Sequence, residues 1–389
     1  MRCPSGVRRA ALMALGVGAC LLAALAPGPA VAGDDVPKRF YYVSADAGST
    51  LQLSPLSVLV NGGLDILRNP SVTDRIFAID YATGFGNVAD NLWRVDYHLR
   101  RIGVGRFAAH EILPIRGLET NYGQFVPNYF MHSLGEGMLY RMLSEYYQAH
   151  GVDHPRWLAL GTVVAMQWLN EAAENGSFRG SNQDPIADML LFNPIGFALF
   201  SFDAPARFFS GPMGIHYWPG QPVLMPAGPP GQWRLLNQGE NFAFHMDLGL
   251  PAGMEGFMYY GKQGLFGVAM PLGADTVSAG LGPSLLGLLP YYEDHLRIML
   301  PGKTLQWEAG LFWDRQGSLL ASAIATVKGP PALHLNLYPR ALPGRLKTDA
   351  GFFLKYSQID GWMGGLSWTW TPVGLGWASA KPGEGTLLR

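Results

Sequence analysis

Residues 304–329 read TLQWEAGLFWDRQGSLLASAIATVKG. In the first half Leu305, Trp307, Ala309, Leu311 and Trp313 alternate with Gln306, Glu308, Gly310, Phe312 and Asp314. One set is apolar throughout; the other mixes charge, amide, glycine and an aromatic ring. After the turn residues Arg315-Gln316-Gly317, a second strand carries Ser318, Leu320, Ser322, Ile324, Thr326 and Lys328 on its mixed side. Period-two alternation of this kind predicts a hairpin with one uniformly dry face. A soluble sandwich also alternates, but its polar set faces water and is rich in Lys, Glu and Thr. The mixed set here suits the interior of a barrel, and the dry set suits lipid. Trp307 and Trp313 are six residues apart, roughly 20 Å along a strand that rises about 3.4 Å per residue. Two aromatic girdles bordering a lipid-facing band roughly 25 Å tall need nearly that spacing once tilt is included.

The same period continues in NFAFHMDLGL, HLRIML, ALHLNLY and GWMGGLSWTW, with Pro301-Gly302 and Gly329-Pro330-Pro331 as turns. Residues 234–389 therefore read as an antiparallel, outer-membrane-type β-barrel of about 8–10 or more strands. His245, His295 and His334 fall on its inward set. The chain ends GEGTLLR rather than in an aromatic-terminated strand.

At the other end, Arg2, Arg8 and Arg9 precede an apolar run from Ala10 to Ala26 and the small residues Ala30-Val31-Ala32. This is the layout of a secretory signal peptide over residues 1–32, cleaved after Ala32. Both cysteines, Cys3 and Cys20, lie in the leader, so the mature chain has neither a disulfide nor a thiolate metal site. A formal net charge of −1 without a basic block argues against nucleic acid as a partner. Charged residues make up 15% and aromatic residues 12% of the chain, a composition short of charge for a surface in water.

Between leader and barrel the period changes. Residues 33–120 are mixed: RFYYVSADAGSTLQL and RIFAIDYATGFG resemble strands, and NLWRVDYHLRRIG fits either type. Residues 121–210 carry helical spacing in YFMHSLGEGMLYRMLSEYYQAH and HPRWLALGTVVAMQWLNEAAENG. A third helix begins at DPIADMLLF, with Asp184 as N-cap and Pro185 in the first turn. Residues 211–233, dense in Pro and Gly, read as a linker. The fold class is accordingly α+β, a three-helix module followed by a C-terminal barrel.

His132 and Glu136 share a helical face; so do Gln167, Glu171 and Glu174, and Asp184 and Asp188. If these faces meet, His132, Glu136, Glu171 and Asp188 offer a divalent-metal site, a carboxylate–histidine acid/base pair, or a structural network. No HExxH and no Gly-flanked nucleophilic serine is present.

The stretches NYFMHSLGEGMLYRM, QWLNEAAENG and QDPIADMLLFNPIGFALF resemble an uncharacterised family of Gram-negative envelope proteins, domain of unknown function 3943. They are distantly similar to the VanZ-like group as well. His132, Arg141, Glu171, Asp188, Asn193 and Gly196 are the recurring positions, over roughly residues 121–200. The resemblance implies an envelope location and a helical module, and carries no activity. The expectation is an outer-membrane protein, or alternatively a periplasmic one, in contact with lipid and inserted by the outer-membrane assembly machinery. Its helices would plug the barrel or rest at its mouth in a structural or lipid-associated role. An envelope hydrolase or transferase working through the polar cluster is the alternative, and a substrate-binding or pore protein the third.

Overall fold

The computed structural model describes residues 38–379, apart from residues 70, 114–124, 228–231, 286–287, 294, 302–304 and 359–360. The leader at 1–32 and the terminal GEGTLLR lie outside the described residues. Two compact units divide the chain: one takes residues up to 43, 81–208 and 289–301, the other 44–80, 209–288 and 302–389.

The strands in chain order are β1 (Ser181–Asn182), β2 (Ile215–Tyr217), β3 (Val223–Pro226), β4 (Trp233–Leu236), β5 (Phe242–Met246), β6 (Glu255–Tyr260), β7 (Gly264–Leu272) and β8 (Asp275–Leu285). They continue as β9 (Leu288–Glu293), β10 (Leu296–Pro301), β11 (Leu305–Arg315), β12 (Ser318–Lys328), β13 (Ala332–Leu337), β14 (Ala350–Ser357), β15 (Gly361–Trp368) and β16 (Gly374–Ala378). Thirteen of them form one mostly antiparallel sheet, in the order β2-β5-β6-β7-β8-β11-β12-β13-β14-β15-β16-β3-β4. The architecture is thus α+β, with a large antiparallel sheet and several helices.

Strands β2 and β5 pair with Ile215 opposite Phe244, and β3 and β4 with Val223 opposite Leu236. Between these two ladders the Trp218 amide donates to the Asn241 carbonyl (2.8 Å) and the Gly220 amide to the Gly239 carbonyl (2.9 Å). All four ladder segments share one register. The Pro/Gly-rich residues 211–233 are therefore not a linker: they hold β2, β3 and the start of β4, their prolines falling between or at the ends of the paired segments.

The facing read from the sequence holds. On β11 Leu311 is 59% exposed while Glu308 is 5% exposed, and Gln306, Phe312 and Asp314 are buried with it. On β12 Ser318, Leu320, Ser322 and Ile324 are buried. Apolar exposure continues across the neighbouring strands, through Phe266, Val268, Met270 and Leu272 on β7, Val277 and Leu281 on β8, Phe352 on β14, Leu366 on β15 and Leu375 on β16. On the buried side Trp218, Phe257, Tyr259, Phe312 and Tyr338 pack together.

Residues 44–80 pack against this buried face. Ser318 Oγ donates to the Ala47 carbonyl (2.7 Å), Gln52 to Ser367 Oγ (2.7 Å) and Asn237 to the Asn61 carbonyl (2.8 Å). The Glu240 amide donates to Asp65 (2.8 Å), and Arg234 pairs with Asp74 (2.8 Å). These residues do not add a strand. At Ser54 a reciprocal capping box with Ser57, and Pro55 in the first turn, start helix α1 (Pro55–Asn61) instead. In RFYYV the amides of Phe40, Tyr41 and Tyr42 all donate to Glu145 Oε2, at 3.0, 2.8 and 3.0 Å, and so are withdrawn from any ladder. The segment read as a strand or helix near residue 90 is helical, as α2 (Tyr81–Trp93) and α3 (Val95–Ile102).

The helical unit also contains α4 (Gly137–Ala149), α5 (Pro155–Asn175), α6 (Asn193–Phe200) and α7 (Asp203–Ser210). HLRIML belongs here and not in the large sheet: β10 pairs in parallel with β1, Ser181 opposite Leu296. His295 is correspondingly an exposed turn residue with a left-handed backbone (φ 60°), not an inward one.

Trp218 is fully buried, and its indole N–H donates to the Gly317 carbonyl (2.9 Å). Trp218→Ala should cost about 3–5 kcal/mol through the cavity it opens. Denaturant unfolding followed by the remaining tryptophans checks this, and a loss below about 1 kcal/mol would mean that the aromatic cluster is not well packed.

Candidate functional site

Three segments of the helical unit are π-helical: Ala108–Ile112, Asn128–Glu136 and Asp188–Phe192. The wider i→i+5 turn shifts side chains off the regular face, and such bulges concentrate at functional positions. Here they carry His110, Glu111, His132, Glu136 and Asp188. Two of them are drawn together by glycines. A Cβ on Gly196 would stand 2.5 Å from the Ser133 carbonyl, and one on Gly137 would stand 2.8 Å from the Gly196 carbonyl. The chains cross where neither has a side chain, which sets the His132–Glu136 turn against the Asp188 turn.

The sequence-derived quartet is one network. His132 Nδ1 lies 2.8 Å from Glu136 Oε1, and Nε2 lies 3.3 Å from Asp188 Oδ2. Glu171 is hydrogen-bonded to Asp188 and accepts from Gln167 Nε2 at 3.1 Å. Glu136, Glu171 and Asp188 are buried, while the His132 side chain is 17% exposed and is the part of the network nearest solvent.

Asp184 departs from its expected role. The N-cap position belongs to Gln183, no side-chain cap hydrogen bond forms, and the Asp184 carboxyl is buried among Glu111, Glu174 and Glu171. Glu174 is not a solvated helix end either: Arg297 of β10 donates to its carboxylate (3.3 Å) and to its carbonyl (2.9 Å). Arg141 stands apart from the cluster, bridging Glu145 (2.8 Å) and Asp203 (2.9 Å), and so holds the segment around Tyr41 to α4. Asn193 opens α6 and Gly196 makes the crossing.

Five members were not legible in the sequence: His110, Glu111, Asn128, Gln183 and Arg297. Glu111 accepts from Asn128 Nδ2 (2.8 Å) and contacts His110 (2.7 Å), which meets Gln183 at 2.6 Å. Arg297 was hidden in a strand assigned to the barrel. The available signal was AAHEI, a His-Glu pair inside an apolar turn where charge needs a partner.

Among the described residues, six carboxyl groups, Glu111, Glu136, Glu171, Glu174, Asp184 and Asp188, thus sit with one guanidinium, Arg297. Burial pushes the pKa of Glu171, Asp184 and Asp188 well above the ordinary carboxylate range, and repulsion from their acidic neighbours adds to it. Glu171 Oε2, Asp184 Oδ2 and Asp188 Oδ1 have no hydrogen-bond partner among the described residues. No group of three or more His, Asp or Glu side chains among those residues is arranged to hold a metal ion. As arranged, the cluster is a hydrogen-bonded network of buried carboxyl groups, with His132 at the edge nearest solvent.

No family model, curated protein or solved structure matches this chain.

The raised pKa values fix the sign of the pH dependence. Glu171, Asp184 and Asp188 keep protons in the fold that the unfolded chain has released, so their contribution to stability is fully present below the ordinary carboxylate range and is lost as pH rises through the raised values. Asp184→Asn should raise the melting temperature at pH 8 and change it little at pH 4. Equal shifts at both pH values would show that Asp184 is ionised in the fold.

Proposed function

We propose that this chain is a Gram-negative outer-membrane protein whose sheet closes into an eleven-stranded barrel, with a structural or lipid-associated role. The observation that carries the reading is the inverted facing of the sheet: a buried face with Gln306, Glu308, Ser278, Ser322 and Asn336, and an exposed face that is apolar on β7, β8 and β11 to β16. Water has no use for that arrangement and a bilayer does. Exposed or half-buried aromatic residues border it in two rows, Trp307, Tyr356, Trp362 and Trp377 toward one end and Trp313, Trp368 and Trp370 toward the other. Trp362 and Trp368 repeat on β15 the six-residue spacing of Trp307 and Trp313 on β11.

Closure is supported by register. If β2 with β3 and β4 with β5 are each one strand, as their shared register indicates, thirteen assigned strands become eleven. The free edge of β3 then pairs with β16, Gly374 opposite Val223 and Leu375 opposite Leu224. That pair is parallel, as an odd number of up-and-down strands requires, and it leaves no edge to be satisfied in lipid. The contacts of residues 47–74 with the inner face, together with the aromatic cluster around Trp218, favour a filled barrel over a pore.

A second reading, an envelope hydrolase or transferase, is favoured by one observation. His132 is held between two carboxylates and is more open to solvent than either. Its test is a comparison of lipid and glycan profiles from envelopes carrying the native chain or His132→Ala, and identical profiles would remove it.

For the leading reading, Leu311→Arg should cost about 2–4 kcal/mol, since Leu311 lies between the two tryptophan rows. Glu308→Gln, on the buried face, should leave insertion intact. Unfolding from vesicles and recovery in the outer-membrane fraction measure both. A Leu311→Arg chain as stable as the native one, or native chain recovered in the soluble periplasm, would sink the barrel.

A further inference from the structure

The surface of residues 81–107 in the helical unit is unlike that of an ordinary soluble helix pair. Phe85, Ala89 and Trp93 recur every fourth residue along α2, on one face, and all three are exposed. Trp93 is 91% exposed, with Tyr97 and Val104 exposed beyond it on the following turns. The opposite face is held down by buried Gly84, Asn87, Val88 and Asn91, with Asn91 Nδ2 donating to the Gly180 carbonyl at 2.9 Å. The aromatic stripe is therefore fixed outward by packing.

Arginines accompany it. The Arg94 guanidinium lies 4.3 Å from the Tyr97 ring centroid, and Arg101 donates to the Tyr97 hydroxyl at 3.1 Å. Arg94 pairs with Asp90 at 3.4 Å and Arg100 pairs with Asp96. Four arginines (94, 100, 101 and 106) against two aspartates (90 and 96) leave this stretch at +2, in a chain whose formal charge is −1. Exposed Trp and Tyr interleaved with Arg are the residues that settle at a bilayer interface, rings at headgroup depth and guanidinium groups on phosphate.

We propose that residues 81–107 are a docking face for an anionic phospholipid surface, with Trp93 inserted at headgroup depth and the arginines on lipid phosphate. Charge complementarity selects this occupant over an apolar protein groove, because the stripe is narrow and bordered by cations. The proposal rests on the membrane reading above, and names which part of the helical unit touches lipid.

Residues 33–389 contain no cysteine, so single-cysteine variants can carry an environment-sensitive probe. The full chain with Cys3→Ser and Cys20→Ser, carrying Trp93→Cys or separately Leu311→Cys, is labelled with a nitrobenzoxadiazole group. It is reconstituted into vesicles of phosphatidylethanolamine and phosphatidylglycerol, or of phosphatidylcholine alone, each with or without a doxyl-labelled lipid. The expected result is doxyl quenching at both positions in anionic vesicles. Quenching at position 93 alone should weaken in phosphatidylcholine and on adding Arg101→Gln and Arg106→Gln, since each cation near an anionic surface favours docking about fivefold. Quenching at 311 without quenching at 93 overturns the docking face and leaves the barrel standing. No quenching at 311 overturns the barrel itself, and the docking face with it. Equal quenching at 93 in both lipids overturns the anionic selection. A probe at 93 shielded from aqueous iodide but not quenched by doxyl lipid assigns the face to a protein partner, and overturns the proposal.

Discussion

Everything in the larger unit depends on one constraint: a strand whose alternate residues differ this much in polarity must place its two faces in different media. On β11, Leu311 and Glu308 are three residues apart and differ in exposure from 59% to 5%. Slipping the register by one residue would bury the apolar set and expose Glu308, Gln306 and Asp314, so pairing and facing are specified together. The unusual feature is direction. Most globular sheets expose their polar set, whereas this one buries a mixed set, polar residues beside an aromatic cluster, and leaves a uniformly apolar set outermost.

A buried polar face has to be satisfied, and residues 44–80 do much of that. Gly48 has a left-handed backbone (φ 91°) and lies against Ser318 and the Leu319 carbonyl, too close for any side chain. That approach lets Ser318 Oγ reach Ala47 and the Leu319 amide reach Ser49 Oγ at 3.1 Å. Further along, the Asp65–Arg68 pair reaches the loop at Gln238–Asn241, where Arg68 donates to Asn241 Oδ1 at 3.2 Å. Such hydrogen bonds are individually modest, but leaving their donors and acceptors unpaired in a dry interior would cost more than the bonds themselves gain.

The alternation of β11 and β12, the turn at Gln316-Gly317 and the helices around His132 and Glu171 were legible because each follows from a short-range period. What was not legible depended on distant partners. RFYYV has the composition of a strand, yet its amides go to Glu145, more than one hundred residues away in sequence. HLRIML alternates like a barrel strand, but Arg297 pairs with Glu174 and the strand pairs with β1. The proline-rich stretch before Trp233 hid β2 and β3 because composition outweighed the short apolar pairs between the prolines. In the cluster, helical spacing aligned His132 with Glu136. Their approach to Asp188 required π-turns and a glycine crossing that no regular 3.6-residue period encodes.

Among the described residues of the helical unit, six carboxyl groups gather around one guanidinium. Were all six ionised, the excess negative charge would lie in a medium where each unpaired ion costs several kcal/mol, beyond what a marginally stable unit can bear. The network therefore keeps protons. His132 is joined to Glu136 on one ring nitrogen and to Asp188 on the other, and is the least buried of the three. Arg297 fixes the opposite end through Glu174, and Asp184 and Glu171 lie between. The π-turns serve this arrangement by letting successive side chains on one chain point into the same interior, which a regular helix would distribute around its circumference. The raised pKa values of Glu171, Asp184 and Asp188 thus have one cause, acidic groups concentrated in a small dry volume.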